Sequence, residues 1–236
     1  MTPALLIEQL QYRWPGTETA VLDIQSLRIE AGESVFLAGP SGSGKSTLLS
    51  LIAGVMLPQQ GRLEVFGEAL PNLSAAQRDR FRADHLGVIF QQFNLLPWLS
   101  VLDNVLLPCR FSARRKANAE AADGDVRGQA RRLLGRLGLD AERILHSAVN
   151  TLSVGQQQRV AAARALMGAP NMVIADEPTS ALDADRRRDF IALLGEQCRV
   201  SGAALLFVSH DQSLAAQFDR RLSLAQLNRA AREVAV

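Results

Sequence analysis

Residues 39–47 read Gly39-Pro40-Ser41-Gly42-Ser43-Gly44-Lys45-Ser46-Thr47, and this stretch decides the fold. It fits G-x-x-x-x-G-K-[ST], with Gly39, Gly44, Lys45 and Ser46 in the fixed places. In such a loop successive backbone N–H groups point inward and cradle phosphate oxygens. Glycines are needed because the chain bends too tightly for side chains. Lys45 is expected to reach the outer phosphates, and the Ser46 hydroxyl to ligate Mg²⁺. The helix that follows adds its positive N-terminal end. The flanks agree with this reading. SVFLAG, ending at Gly39, is an apolar run of strand length. STLLSLIAG, from Ser46, has helical spacing, with Leu48, Leu49, Ile52 and Ala53 on one side. A dinucleotide fingerprint fails, because Gly42-x-Gly44 is followed by Thr47 where a third glycine should stand. The chain is therefore expected to bind a nucleoside triphosphate.

Composition narrows the setting. At 236 residues the chain is long enough for one substantial α/β core with an inserted subdomain. A net charge of +2 is too small to point to nucleic acid or anionic lipid as the main partner. No apolar run approaches the ~18–20 residues of a membrane span. The start, MTPALLIEQL, lacks a basic segment and carries Glu8, which argues against a secretory signal. Cys109 and Cys198 have no metal-type spacing and read as reduced structural residues of a cytosolic protein.

Four short apolar runs, Val35–Ala38, Val88–Phe90, Met172–Ala175 and Ala203–Val208, each lead directly into polar residues. Runs of this kind suit strands buried on both faces of a parallel sheet, with active groups at their carboxyl ends. Leu5–Leu10, Ile24–Ile29 and Arg62–Phe66 read instead as an antiparallel layer. From about Asn94 to Ser153 the chain is rich in Ala, Arg and Leu and reads as a helical insert. Within it Asn118–Gly128 reads as an exposed turn or a poorly ordered loop, and Arg131–Leu139 as a helix stopping near Gly138. The charge runs Arg114–Lys116 and Arg186–Arg188 read as solvated helix faces, and His85 and His146 as surface residues.

Met172–Glu177 reads MVIADE, an apolar strand ending in two carboxylates. Downstream of a phosphate loop, Asp176 is expected to hold Mg²⁺ and Glu177 to orient and deprotonate the attacking water.

Further along, Leu152–Gln156 reads LSVGQ, followed by QQRVAAARAL. This resembles the signature motif of ATP-binding-cassette ATPases. Gln91 matches the family's glutamine loop, although Gln92 stands beside it. Ser180–Asp183 (SALD) matches the loop after the acidic motif, and His210 in LLFVSHD matches the switch histidine. Tyr12, 27 residues before Gly39, stands where the family places an adenine-stacking aromatic; Trp14 is a competitor. The resemblance covers essentially the whole chain. It implies an α/β fold: a P-loop NTPase core (a RecA-like parallel sheet), an N-terminal antiparallel β subdomain and an inserted helical subdomain. The implied division is 1–91 and 156–236 for the core and 92–155 for the helical subdomain.

The resemblance also implies a homodimer with two ATP molecules sandwiched head to tail. Ser153, Gly155 and Gln156 would face the γ-phosphate held by the partner's loop, His210 would contact the γ-phosphate, and Asp183 would sit at the dimer axis. Gln91 would touch Mg²⁺ or water. Val154 departs from the usual glycine; it is tolerable if the position needs no positive φ, so hydrolysis is expected to survive.

Most chains like this drive a membrane permease from the cytoplasmic face of the bacterial inner membrane. LSAAQRDRFRADHLGVIFQ, Leu73–Gln91, resembles ATPases of lipoprotein-release and macrolide-export systems, whose permeases have few spans and a large extracytoplasmic domain. FQQFNLLPWLSVLDNVLLP also resembles polar amino-acid and phosphonate importers. Phe93, Leu95, Leu96, Pro97 and Trp98 would either dock a permease helix or pack the subdomain's own core. No direct nucleic-acid partner is expected, since neither a long coiled-coil insert nor a second cassette is present.

Overall fold

The computed structural model describes residues 2–139, 141–180 and 182–230. It divides into two compact units, one built from residues up to Arg82 and from Ala204 onward, the other from Ala83–Ala203.

The first unit contains an antiparallel sheet and a parallel one. In the antiparallel sheet β1 (Leu5–Tyr12) lies between β2 (Leu22–Ile29) and β4 (Gln60–Val65), with the short β5 (Glu68–Ala69) outside β4. β1 starts with Leu5 and Ile7 buried and ends with Leu10 and Tyr12 buried. The change of face coincides with a register shift against β4 between Glu8 and Gln11, where Gln9 takes φ 49°. An extra residue in one strand rotates every later side chain to the other face. The parallel group has β3 (Ser34–Ala38) between β8 (Ala204–Ser209) and β9 (Arg220–Ser223). Both β3 and β8 are buried along nearly their whole length, as expected of strands covered on two faces. Phe36, Phe207 and Phe218 pack together beneath, with ring centroids 5.1–6.2 Å apart.

Helix α1 (Lys45–Ile52) leaves the Gly-rich loop with Thr47, Leu48, Leu49, Leu51 and Ile52 buried. Its far end is held by α2 (Ala75–His85). Arg82 Nη1 donates to the carbonyl of Ala53 at 2.9 Å, and Arg78 Nε to that of Gly54 at 3.1 Å. Cations suit a helix C-terminus, where the last carbonyls lack partners. Ser74 starts α2 with a reciprocal cap: its Oγ accepts from Gln77 N, and Gln77 Oε1 accepts from Ser74 N. The Leu73–Arg82 stretch thus supports the phosphate-loop helix from behind.

The second unit contains the parallel pair β6 (Leu86–Ile89) and β7 (Met172–Asp176). Its helices are α3 (Val101–Phe111), α4 (Ala113–Asp123), α5 (Val126–Arg136), α6 (Glu142–Leu145), α7 (Val154–Leu166) and α8 (Ala184–Ser201). The final helix, α9 (Leu224–Leu227), returns to the first unit and touches β2 and β9.

Three expectations change here. Asn118–Asp123 is helix, not loop: α4 runs on to Gly124, whose φ of 81° ends it, and Asp125 caps α5 by accepting from Gly128 N at 2.6 Å. Alanine-rich polar sequence with no breaker before Gly124 favours helix. Arg115 is no solvated charge; it is 3% exposed. Its guanidinium donates to the carbonyls of Met167 at 2.6 Å, Ala165 at 2.6 Å and Leu86 at 3.2 Å. It caps the C-terminal end of α7, and burial pulls it down to about 10, so it stays charged at neutral pH. His85 is half-buried, with Nδ1 2.9 Å from Asn171 Oδ1, whereas His146 is exposed. Both cysteines are buried free thiols. Burial pushes Cys198 up to about 12.

Candidate active site

The first unit places the phosphate loop at the carboxyl end of β3. Gly44 ends the loop with φ 95°, a left-handed conformation that glycine alone adopts without strain. A Cβ there would also lie 2.8 Å from Leu22 Cδ2. A Cβ on Gly39 would come within 2.7 Å of Ser43 Oγ, so the loop folds tightly over itself. Lys45 Nζ donates to the carbonyls of Gly39 at 2.7 Å and Pro40 at 2.9 Å, which keeps the ammonium over the loop. Ser46 is exposed in the first turn of α1, while Thr47 is buried. Ser43 Oγ is buried with no hydrogen-bond partner. An orphaned hydroxyl in a cationic Gly-rich cradle fits a phosphate oxygen.

Beside Pro40–Ser43 opens a cavity of about 540 Å³. Trp14, Thr17, Val21, Ala225 and Asn228 are among its other walls. Trp14 is 45% exposed; Tyr12 is 6% exposed and stands behind it, edge-on at 5.5 Å. The bulge in β1 explains this, since it turns Tyr12 to the buried face. Gln59 pairs both backbone groups of Arg13, at 2.9 and 2.8 Å, and so fixes the strand exit that presents Trp14. Asn228, 1% exposed, is a site residue that sequence reasoning missed. Its Oδ1 accepts from Asp23 N at 2.8 Å, and its Nδ2 donates to Val21 O at 2.8 Å and Ser43 O at 3.4 Å. It ties the loop to the chain before β2. A lone asparagine in an unpatterned C-terminal stretch gives no signal of that role. His210 is exposed directly after β8, in a turn fixed by Ser209 Oγ accepting from Asp211 N.

The second unit carries the acidic and signature residues. Asp176 closes β7 and is half-buried; Glu177 follows at 9% exposure with φ 45°. Gln91 and Gln92 are both exposed just beyond β6. Ser153 caps α7 with Gln156 in a reciprocal box, so Gln156 serves the helix end. Val154 is the first helical residue of α7 and has no positive φ, so its backbone conformation does not demand glycine. Asp183 caps α8, accepting from Arg186 N at 3.0 Å. Ala181, inside the Ser180–Asp183 run, lies outside the described residues.

A family profile described as ABC transporter matches residues 22–180, which include the phosphate loop, Gln91, the signature run and the acidic pair. The chain is an ABC transporter ATPase domain.

Relatives of this ABC ATPase include the lipoprotein-releasing system ATP-binding protein LolD 1 of Caulobacter vibrioides. It is 42% identical over 208 residues, which cover 88% of this chain and 86% of the relative. The macrolide export ATP-binding/permease protein MacB of Burkholderia pseudomallei is 39% identical over 225 residues. The match covers 94% of the chain but only 33% of that relative, so the chain spans about a third of its length. Among solved structures, the dimeric post-hydrolysis state of the ATP-binding cassette MJ0796, bound to ADP and Pi, superposes with a TM-score of 0.80 at 34% identity. The superposition covers 96% of this chain and 95% of that one. The ABC ATPase is thus a nucleotide-binding ATP hydrolase of α/β P-loop fold, and among its described residues no helix is long and apolar enough to cross a membrane.

Proposed function

We propose that this ABC ATPase closes as a head-to-tail homodimer around two ATP molecules and drives a permease of the lipoprotein-release or macrolide-export kind, from the cytoplasmic face of a bacterial inner membrane. That permease would have few spans and a large extracytoplasmic domain. The observation that carries the reading is the 42% identity to LolD 1 along 88% of the chain. The Leu73–Arg82 stretch supports it, because the features that resemble those systems also brace the phosphate-loop helix.

The chemistry follows from the residues. The loop N–H groups and Lys45 hold the β- and γ-phosphates, and Ser43 Oγ gains the acceptor it lacks. Ser46 and Asp176 offer the hard oxygen donors that Mg²⁺ prefers, with Gln91 as a further donor. Mg²⁺, when bound, neutralises charge on the transferred phosphoryl group. Glu177 takes a proton from the attacking water as the water oxygen bonds the γ-phosphorus and the bond to the ADP oxygen breaks. His210 contacts the γ-phosphate, Ser153 and Gly155 reach the phosphate of the partner's site, and Asp183 stands at the dimer axis.

Trp14, rather than Tyr12, is the ring we assign to the adenine, because it is the one that lines the cavity. Trp14→Ala is expected to weaken ATP binding about three- to tenfold by titration calorimetry, the value of one aromatic contact. Unchanged affinity would return the role to Tyr12.

Capture of the tagged Glu177→Gln protein with Mg-ATP from detergent-solubilised membranes tests the partner. A co-purifying permease with few spans and a large extracytoplasmic domain supports the reading. A compact permease with a solute-binding protein, or only soluble partners, overturns it.

A further inference from the structure

We propose that Arg164 is a positioning residue for ATP hydrolysis: it fastens the segment after Gln91 to the helix that begins at Ser153. The two elements would then hold one relative placement during turnover. This rests on the reading of Gln91 and Ser153 as groups that meet nucleotide, and it adds a link between them.

The observations lie within the second unit. Arg164 stands in the last turn of α7. Its Nη1 donates to the carbonyl of Asn94 and its Nη2 to that of Phe93, both at 2.6 Å. Those acceptors belong to two successive left-handed residues, Phe93 at φ 60° and Asn94 at φ 48°. A left-handed backbone is disfavoured for any side chain bulkier than glycine, and two in a row need something to hold them. One planar guanidinium that reaches both carbonyls supplies that hold, and a single lysine ammonium would not match the fork. Arg164 is half-buried, and burial lowers the affinity of its guanidinium for its proton.

The same segment is gripped a second time. Asn104 of α3, fully buried, accepts from Leu96 N at 2.8 Å and donates to Leu96 O at 3.1 Å and Ser100 O at 3.0 Å. Phe93 is 8% exposed, so its ring anchors the segment as well. Between these grips the backbone has little freedom, while Gln91 is exposed on one side and Trp98, 75% exposed, on the other. Arg164 and Ser153 are eleven residues apart on one helix, or ~16 Å along its axis. A displacement of the glutamine segment is therefore passed through a rigid rod to the capped turn at Ser153.

A double-variant cycle on the full chain tests the link, with kcat, KM and ATP affinity measured for Arg164→Gln, Gln91→Ala and the pair. Arg164→Gln is expected to lower kcat about tenfold with ATP affinity kept within about twofold, the pattern of lost transition-state placement. In the Gln91→Ala background it should add less than about twofold, because the two residues then act through one contact. Amide exchange at residues 92–96 should quicken in Arg164→Gln. If that variant fails to fold, Arg164→Lys enters the same cycle, since it keeps the charge but not the fork. A double variant whose loss is the full product of the single losses overturns the link while leaving Gln91 in the reaction. An unchanged kcat in Gln91→Ala removes Gln91 from the reaction, and the proposal falls with it.

Discussion

Glu177→Gln is expected to lower the rate of ATP hydrolysis about a thousandfold, within the range ascribed to a general base. Glutamine keeps the shape and the hydrogen-bonding length of the side chain but cannot accept the proton of the attacking water. The site leaves little room for a substitute, because Glu177 is 9% exposed and is set by the end of β7. The groups assigned to the phosphates are untouched, so ATP affinity should stay within about twofold, and Mg-ATP should accumulate a dimer on size exclusion. Single-turnover hydrolysis and equilibrium binding separate the two effects. A loss of less than tenfold would move the base elsewhere, with His210 the next candidate.

Arg115→Met is expected to lower the free energy of unfolding by about 3 kcal/mol, read from denaturant midpoints. Methionine fills much of the volume but leaves the carbonyls of Leu86, Ala165 and Met167 without their donor. Each buried carbonyl left unpaired costs about 1–3 kcal/mol, partly offset by no longer desolvating a charge. The packing admits little relaxation. Gly168 lies so close that a Cβ on it would stand 2.5 Å from Arg115 Cβ, and a Cβ on Gly87 would collide with the carbonyl oxygen of Ala165. A loss below about 1 kcal/mol would mean that water reaches those carbonyls.

Much of the candidate site is legible in the chain because its chemistry is local. The phosphate loop needs its glycines, lysine and serine at fixed spacing, and the acidic pair follows an apolar strand directly. The antiparallel strands at Leu5 and Ile24 are legible as short apolar runs between turn residues, and the helices of the insert from Ala-, Arg- and Leu-rich composition. What escaped depends on contacts distant in sequence. The β1 bulge is fixed by pairing with β4, some fifty residues on; family position alone favours Tyr12 over Trp14, whereas it is Trp14 that lines the cavity. Arg115 sits in a basic run that looks solvated. Ser112, Arg115 and Ala119 share a face and are all buried, but a serine, an arginine and an alanine make no apolar stripe to read. Asn228 and Arg164 hold backbone carbonyls and amides far along the chain, and backbone partners leave no trace in side-chain pattern.

The left-handed backbone at Glu177 sets fold stability against activity. A residue with a Cβ gives up about 1 kcal/mol in that conformation, which glycine would recover. As far as the backbone goes, the residue that suits position 177 best is thus one that cannot take a proton from water. A search for more thermostable forms of this chain would be drawn there, and each success would be a tighter, better-folded protein that holds ATP without turning it over.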